Sequence, residues 1–525
     1  MGDIYDIVVA GAGHNSLITA AYLAQAGYSC VVLDARPVVG GGAVTEEPLL
    51  PGYRVDTCST GHTLIQVNPL IKDDELGLVA RYGLEYIDPD PVEHVVFPDG
   101  EYLTMWMDID RTCDEIARFS RRDAVSYRRL IEEYDEVKSA IGGTRFRPVG
   151  KGASLDEVLA ERPIWMRRRM MSARDVIAHT FEERHVRAFM GWVASQTAVP
   201  LDGAGSGLLA YQIVSGRQAR SWSIPRGGSG LLIDSLVGFL TDHGAVFHTG
   251  TTVDELIVED GRCVGVRTTD GEQFRATRAV VSTIHVKHLL EMAPRQTWGE
   301  EFAYGVETYD VGLPFFAGYF AAREAPIFST ADGGRSAVSA GLTGWLDDIA
   351  ANARRVARGS YSDVDPWFLV ASPTLADPDR APHGHHTVKF VTVNSYDVEG
   401  EGPERWDDIK DAHLDRQLRR LQAVAPNFTD DVIIERFAKS PLDIERDNPH
   451  MVHGAPHGGD RGITYSGAQR PVPGWAQHRM PLDGLYQTGG TTHPGGSITG
   501  APGRNAAWIV LEDLGHDPGE VMSLG

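Results

Sequence analysis

The sequence predicts an α/β fold in two parts: a sheet-and-helix domain drawn from both ends of the chain, and an α+β domain inserted within it. Three observations carry that reading. A strand, a glycine turn, a helix and a second strand open the chain. A run of hairpins lies near its middle, and a strand, a glycine loop and a helix close it.

The opening stretch "IYDIVVA" (residues 4–10) is apolar, rich in β-branched residues and bounded by glycine, the pattern of a short buried strand. In "SLITAAYLAQAG" the small residues Ala20, Ala21 and Ala24 fall with Leu17 at helical spacing, so the helix can lie close on a sheet. Gly27 suits a C-terminal cap, and "SCVVLD", ending at Asp34, is the second strand. Gly11 and Gly13 take the first two positions of the G-x-G-x-x-G fingerprint in the context it requires, while Ser16 stands at the third. Gly11 permits the tight turn. Gly13 lets the backbone, with His14 and Asn15 opening the helix, approach a pyrophosphate at the positive helix end. The third glycine serves only close helix–strand packing, so Ser16 adds roughly 1–3 kcal/mol of overpacking if nothing moves and leaves the phosphates alone. Asp34 ends the second strand, where a carboxylate accepts ribose hydroxyls. This is a Rossmann-type dinucleotide site.

The next segment, "DARPVVGGGAVTEE" (residues 34–47), points to FAD rather than NAD. Arg36, after Ala35, can neutralise phosphate, and Gly40, Gly41 and Gly42 let a second stretch of backbone pass against the dinucleotide. A coenzyme that leaves at every turnover needs no such cover; a permanently held one does. With Thr45 following, the segment resembles the glutathione-reductase-type FAD proteins. At the far end, "GLYQTG" reads as a short strand. A glycine loop holding Gly490, Pro494, Gly496, Ser497 and Ile498 comes next, then a helix opening near Pro502. Proline at a helix start, with exposed N–H groups there, suits the negative charge that a reduced flavin carries at its N1/C2-carbonyl edge. Between the ends, Asp260-Gly261 and Asp270-Gly271 are each flanked by alternating residues: two hairpins, then the buried return strand "AVVST".

Phrases spread from about residue 6 to about residue 510 carry a wider likeness, among them "GAGHNS", "VVGGGAVTEE", "DTCS", "RYGLEYI", "FPDGEYL", "PRGGSGLL" and "THPGGSITGAPGRNAA". On these the chain resembles the phytoene-desaturase-related flavoproteins, and within them the pyridine nucleotide-disulphide oxidoreductase domain-containing branch. The resemblance implies FAD in an extended conformation, with the backbone of Val253 at the adenine and Thr283 at the same site. It also implies a substrate domain roofing the flavin over a hydrophobic, polyene-like or cyclic molecule. The expected division is a discontinuous FAD domain of residues 1–70, 220–300 and 476–525, with a substrate domain of 71–219 and 301–475.

A formal charge of −23 argues against a nucleic-acid partner. Cys30, Cys58, Cys113 and Cys263 lie far apart with no CxxC pair, which argues against a disulfide framework or zinc site and fits a reducing cytoplasm. A first strand beginning by residue 4 leaves no room for a leader peptide, and no apolar run reaches the roughly 18 residues of a bilayer span. "RPIWMRRRMMSARD" (residues 162–175) sets Arg167, Arg168 and Arg169 among Trp165, Met166, Met170 and Met171. It reads either as a basic patch touching a membrane surface or as a lid helix whose arginines pair with surplus acid. His383, His385 and His386 lie in a polar loop without a clear carboxylate or cysteine partner, so no metal is expected.

The cofactor carries the redox step; the protein supplies position and electrostatics. The expected activity is that of an FAD-dependent dehydrogenase, desaturase or oxidase moving hydride from a hydrophobic substrate to flavin N5. No second glycine fingerprint has a strand–acid context, so oxygen or a quinone is the expected electron acceptor. Histidines near neutral pKa are natural proton handlers. His493 in "TTHPGG", beside the ring, and His62, after the cover loop, are the candidates, with Arg226 in "IPRGGSGLL" as a contact for a substrate oxygen or for the cofactor and Tyr211 behind them. Three rival readings use the same cofactor: a double-bond isomerase without net redox change, an amine oxidase, and a flavin-binding assembly protein without catalysis.

Overall fold

The computed structural model describes residues 3–523. The chain lays down two seven-stranded sheets by turns. Strands β1 (Asp3–Ala10) and β2 (Cys30–Asp34) open the first, and β3 (Glu93–Val96) and β4 (Tyr102–Met105) start the second as a hairpin. The chain then returns to the first sheet with β5 (Val246–Thr249), β6 (Val253–Glu259), β7 (Arg262–Thr268) and β8 (Gln273–Ser282). Next, β9 (Phe315–Ala322), β10 (Ser339–Thr343), β11 (Trp367–Ala371), β12 (His386–Val393) and β13 (Ile433–Lys439) complete the second. Finally β14 (Leu485–Gln487) closes the first.

The first sheet runs β6-β7-β8-β1-β2-β5, with β14 beside β8. The strand pairs β1–β8, β1–β2, β2–β5 and β8–β14 are all parallel. Strand β8 links two arrangements: its start pairs antiparallel with β7 and its end parallel with β14. Ile7 to Ala10 and Val31 to Leu33 are buried without alternation, as parallel strands covered on both faces must be. Helices α1 (His14–Gln25) and α2 (Gly230–Asp242) pack together on this sheet.

The second sheet runs β13-β9-β12-β11-β10-β3-β4 and is antiparallel except between β10 and β3. Register places Ala317 of β9 opposite Val391 of β12, Tyr319 opposite Lys389, and Leu369 of β11 opposite Val391. Alternation then sorts the side chains by face. Phe316, Phe320 and Phe390 pack with Trp406, Leu414 and Leu418 of α3 (Arg405–Val424). Phe315, Ala317, Tyr319, Leu369 and Val391 turn to the opposite face and line a cavity.

Ser16 does more than tolerate its place. Its hydroxyl lies 2.5 Å from the Gly11 carbonyl oxygen and 2.9 Å from that of Gly13, bracing the glycine turn from inside the helix. Close helix approach is supplied from the far end instead: in α4 (Ala501–Asp513) a Cβ on Gly503 would collide with the Asn15 carbonyl.

The helix Pro163–Met170 is largely tied down. Trp165 is buried against Tyr134 and Tyr211, Arg168 pairs with Glu133 at 2.7 Å, and Arg169 pairs with Asp156, while Ile164 and Met170 are exposed. Among the described residues no helix is long and apolar enough to cross a membrane. Nor do three or more His, Cys, Asp or Glu residues gather there in a metal-binding group; His385 meets the Tyr53 hydroxyl and His386 the Thr374 hydroxyl.

Candidate active site between the two sheets

A cavity of about 730 Å³ separates the sheets. Its floor is made where parallel strands of the first sheet end. Gly11 and Gly13 follow β1, Asp34 to Arg36 end and follow β2, Thr283 follows β8, and Gly489 and Gly490 follow β14. The carboxyl ends of parallel strands are where open α/β sheets take ligands, because helix N-termini gather there and side chains thin out. The inner face of the second sheet forms the ceiling.

The floor fits an extended dinucleotide. Helix α1 begins at His14 with Gly13 as its cap and no side chain bonded to its first amides, so those N–H groups are available to an anion. Gly11 has φ +96°, and a Cβ there would collide with the Thr283 methyl. A Cβ on Gly41 would lie 3.1 Å from the Gly13 Cα, so the cover loop and the first turn face each other as bare backbone. The Asp34 carboxylate accepts from the Ala12 amide at 2.7 Å and the Arg36 amide at 2.8 Å, which fixes it with lone pairs left for hydroxyls. Burial raises its pKa above the ordinary carboxylate value, against those two amide bonds. Arg36 donates to the Gly41 carbonyl at 3.2 Å and pairs with Glu46 at 3.4 Å, shaping the cover. Thr251 and Val253 line the same end of the cavity wall as Asp34, and Ser497 and Ile498 complete the lining from the C-terminal loop. The fully buried Arg470 fastens that loop, donating to the Gly490 carbonyl at 3.1 Å and the Asp460 carbonyl at 2.7 Å.

The ceiling is greasy with a few fixed polar groups. Lys389, buried on β12, donates to the Asp56 carbonyl (3.1 Å), the Cys58 carbonyl (2.7 Å) and the Thr60 hydroxyl (2.7 Å). Burial pushes its pKa down to about 8, and all three donors are engaged. The Tyr319 hydroxyl donates to the Thr57 carbonyl at 2.6 Å, so both residues clamp the second sheet onto the segment after the cover loop. Arg217 is held by Glu93 at 3.3 Å and Lys439 by Asp447 at 2.5 Å. His457 stands edge-on to Phe315, ring centroids 6.2 Å apart, and neither of its nitrogens has a hydrogen-bond partner. Burial lowers its pKa to about 3 and that of His14 and His450 to about 4, so these cavity histidines are neutral.

Of the residues singled out from sequence, Gly11, Gly13, His14, Asn15, Asp34, Ala35, Arg36, Gly41, Gly42, Val253, Thr283, Gly490, Gly496, Ser497 and Ile498 line this cavity. The others lie elsewhere. Gly40 packs against Ile233, with its amide on the Ala12 carbonyl at 2.7 Å. The Thr45 hydroxyl joins Asp56 at 2.7 Å to the Gly230 amide at 2.9 Å. His62 is buried against Ser229 at 2.9 Å, with its pKa lowered to about 3 by burial. Arg226 sits at the surface, 2.9 Å from Glu85, and Tyr211 is in the helical core. His493 and Pro494 line a different pocket, the His493 Nε2 donating to the Thr144 carbonyl at 3.0 Å. The start of α4 is also closed: Thr499 and Asn15 side chains cap the Ala501 and Gly503 amides at 3.2 Å each. Lys389, Tyr319 and His457 were not singled out from sequence. A lone lysine in the alternating strand "HTVKFVTV" is the one local signal that pointed to any of them.

The match to known proteins agrees with this geometry. Residues 17–511 match the family model described as flavin containing amine oxidoreductase. The chain is 29% identical over 560 residues to pyridine nucleotide-disulfide oxidoreductase domain-containing protein 2 of Mus musculus, covering 97% of this chain and 94% of that one. It is 26% identical over 542 residues to all-trans-zeta-carotene desaturase of Myxococcus xanthus, covering 98% and 95%. Among solved structures, cyclohexylamine oxidase from Brevibacterium oxydans superposes with a TM-score of 0.60 at 16% identity, over 97% of this chain and 99% of the other.

Proposed function

The chain belongs to the flavin containing amine oxidoreductases and is an FAD-dependent oxidoreductase related to the phytoene desaturases; from that premise we propose that it dehydrogenates a hydrophobic, polyene-like or cyclic substrate. In this reading residues 1–70, 220–300 and 476–525 hold the cofactor, residues 71–219 and 301–475 hold the substrate, and oxygen or a quinone takes the electrons. The observation that carries it is one continuous cavity with two unlike walls: backbone and a fixed carboxylate below, Ala317, Leu369 and Val391 above.

Bound FAD supplies a two-electron acceptor for hydride. The chain's own residues do the rest. The uncapped start of α1 and the bare turns at Gly11, Gly13 and Gly41 would hold the pyrophosphate, and Asp34 a ribose. The apolar ceiling excludes water and presses the substrate toward the floor. His493 and His62 are each held in other contacts away from this cavity, and His457 in its wall keeps both ring nitrogens buried. Lys389 supports a neutral substrate over a protonated amine, because Asp56 serves both Lys389 and Arg380 and leaves the wall net cationic.

Anaerobic mixing of the FAD-loaded protein with a panel of lipophilic alkenes, cyclic hydrocarbons and amines tests this reading. The expected result is bleaching of the flavin by a neutral lipophilic compound, with a product two hydrogens lighter. Bleaching by amines alone supports an amine oxidase instead, and a product of unchanged mass supports an isomerase.

A further inference from the structure

Behind the loop that lines the flavin side of the cavity lies a second cavity of about 200 Å³. Arg145, Arg147, Arg169 and Arg461 line it together with His493, and none of its lining residues is Asp or Glu. In a chain of net charge −23, four guanidiniums around one small volume with no acid in the wall is a marked departure. Arg169 is paired with Asp156, outside the wall. Arg145 meets only the neutral Gln212 side chain, and Arg147 and Arg461 form no ion pair among the described residues.

The polar atoms are left wanting a partner. The Nη1 of Arg461 and the Nδ1 of His493 are buried without one, and His493 is only 8% exposed. Burial and the neighbouring charges of Arg145 and Arg470 push the Arg461 pKa down to about 9 despite the acidic Asp460 next in the chain. Ile141, Leu155 and Leu208 add apolar surface among hydroxyl groups such as those of Thr144 and Ser206, while Arg147 is exposed at the rim. Buried like charges are unfavourable alone and become favourable once an anion completes the set.

We infer that this cavity is a binding site for a small organic anion, a carboxylate or phosphate monoester with a short apolar body, separate from the substrate chamber. The site adjoins the loop that also lines the main cavity. His493 and Pro494 face it, while Gly490 and Gly496 from the same loop line the main cavity. The anion's oxygens take the guanidinium donors of Arg461, Arg145 and, at the rim, Arg147, and its tail lies on Ile141 and Leu208.

Calorimetric titration of the FAD-loaded protein with hexanoate, hexyl phosphate and 1-hexanol tests the inference and tells the two anions apart. One anion is expected to bind at one site at least about ten-fold more tightly than the alcohol, since a charged hydrogen bond adds about 1.5–3 kcal/mol. Arg461→Gln and the rim substitution Arg147→Ala are each expected to weaken it about five-fold or more, with bound FAD unchanged. Arg147→Ala is on the surface, so it reads out even where the buried substitution fails to fold. Equal binding of the alcohol, no heat from either anion, or unchanged affinity in Arg147→Ala overturns the inference. None of these outcomes depends on which substrate the main cavity takes.

Discussion

The floor and the ceiling of the main cavity are built by opposite means. The floor presents backbone: glycines at Gly11, Gly13 and Gly41, uncapped amides at the start of α1, and one carboxylate. The ceiling presents side chains, sorted to one face by strand alternation: Ala317, Leu369, Val391 and the clamped Lys389. A backbone surface suits a ligand that never changes, because glycine admits no variation without collision. A side-chain surface can be reshaped one residue at a time, which is how one cofactor platform serves unlike substrates.

Substitutions should therefore separate the two walls. The largest effect is expected at Gly11→Val. A positive φ adds about 1–2 kcal/mol for any other residue, and the collision with Thr283 about 1–3 more, so FAD affinity should fall by about 30-fold to a few thousand-fold and the protein purify colourless. On the ceiling, Ala317→Trp should leave the flavin spectrum and stoichiometry intact yet lower kcat/KM about 100-fold, because the chamber is filled rather than the cofactor site.

Asp34→Asn sharpens the comparison through its sign. Burial raises the Asp34 carboxyl, so the ionised form weighs against the cofactor-free fold once pH rises through that raised value. The amide should thus raise the melting temperature of the FAD-free protein while weakening FAD about ten-fold through the lost ribose bond. In the wild type, FAD affinity should decline as pH falls through the same value, before ordinary carboxylates protonate. Arg226→Gln should be the smallest effect, less than about two-fold on any rate, since its partner is the surface residue Glu85.

How far each wall was legible follows from distance along the chain. The opening turn, its helix and Asp34 fall within one short βαβ unit, so local pattern sufficed, and Ser16 was the one position whose role needed coordinates. The ceiling depends on Ala317, Leu369 and Val391 being brought together by register, which no local pattern encodes. His457 lies in a stretch with no strand or long helix, so no periodicity marks it. The start of α4 shows the same limit from the other side: Pro502 announced a helix, but the side chain that caps the Gly503 amide belongs to Asn15, 488 residues away. Hence a helix end that read as open is closed.

The central claim is that one cavity holds cofactor below and a lipophilic substrate above. It is met most directly by anaerobic stopped-flow of FAD-loaded wild type beside FAD-loaded Ala317→Trp, with whichever neutral lipophilic compound bleaches the wild type. The account predicts matched flavin spectra at the start and bleaching at least about 100-fold slower in the variant. Equal bleaching rates would contradict it, because the substrate would then be reaching the flavin by another route.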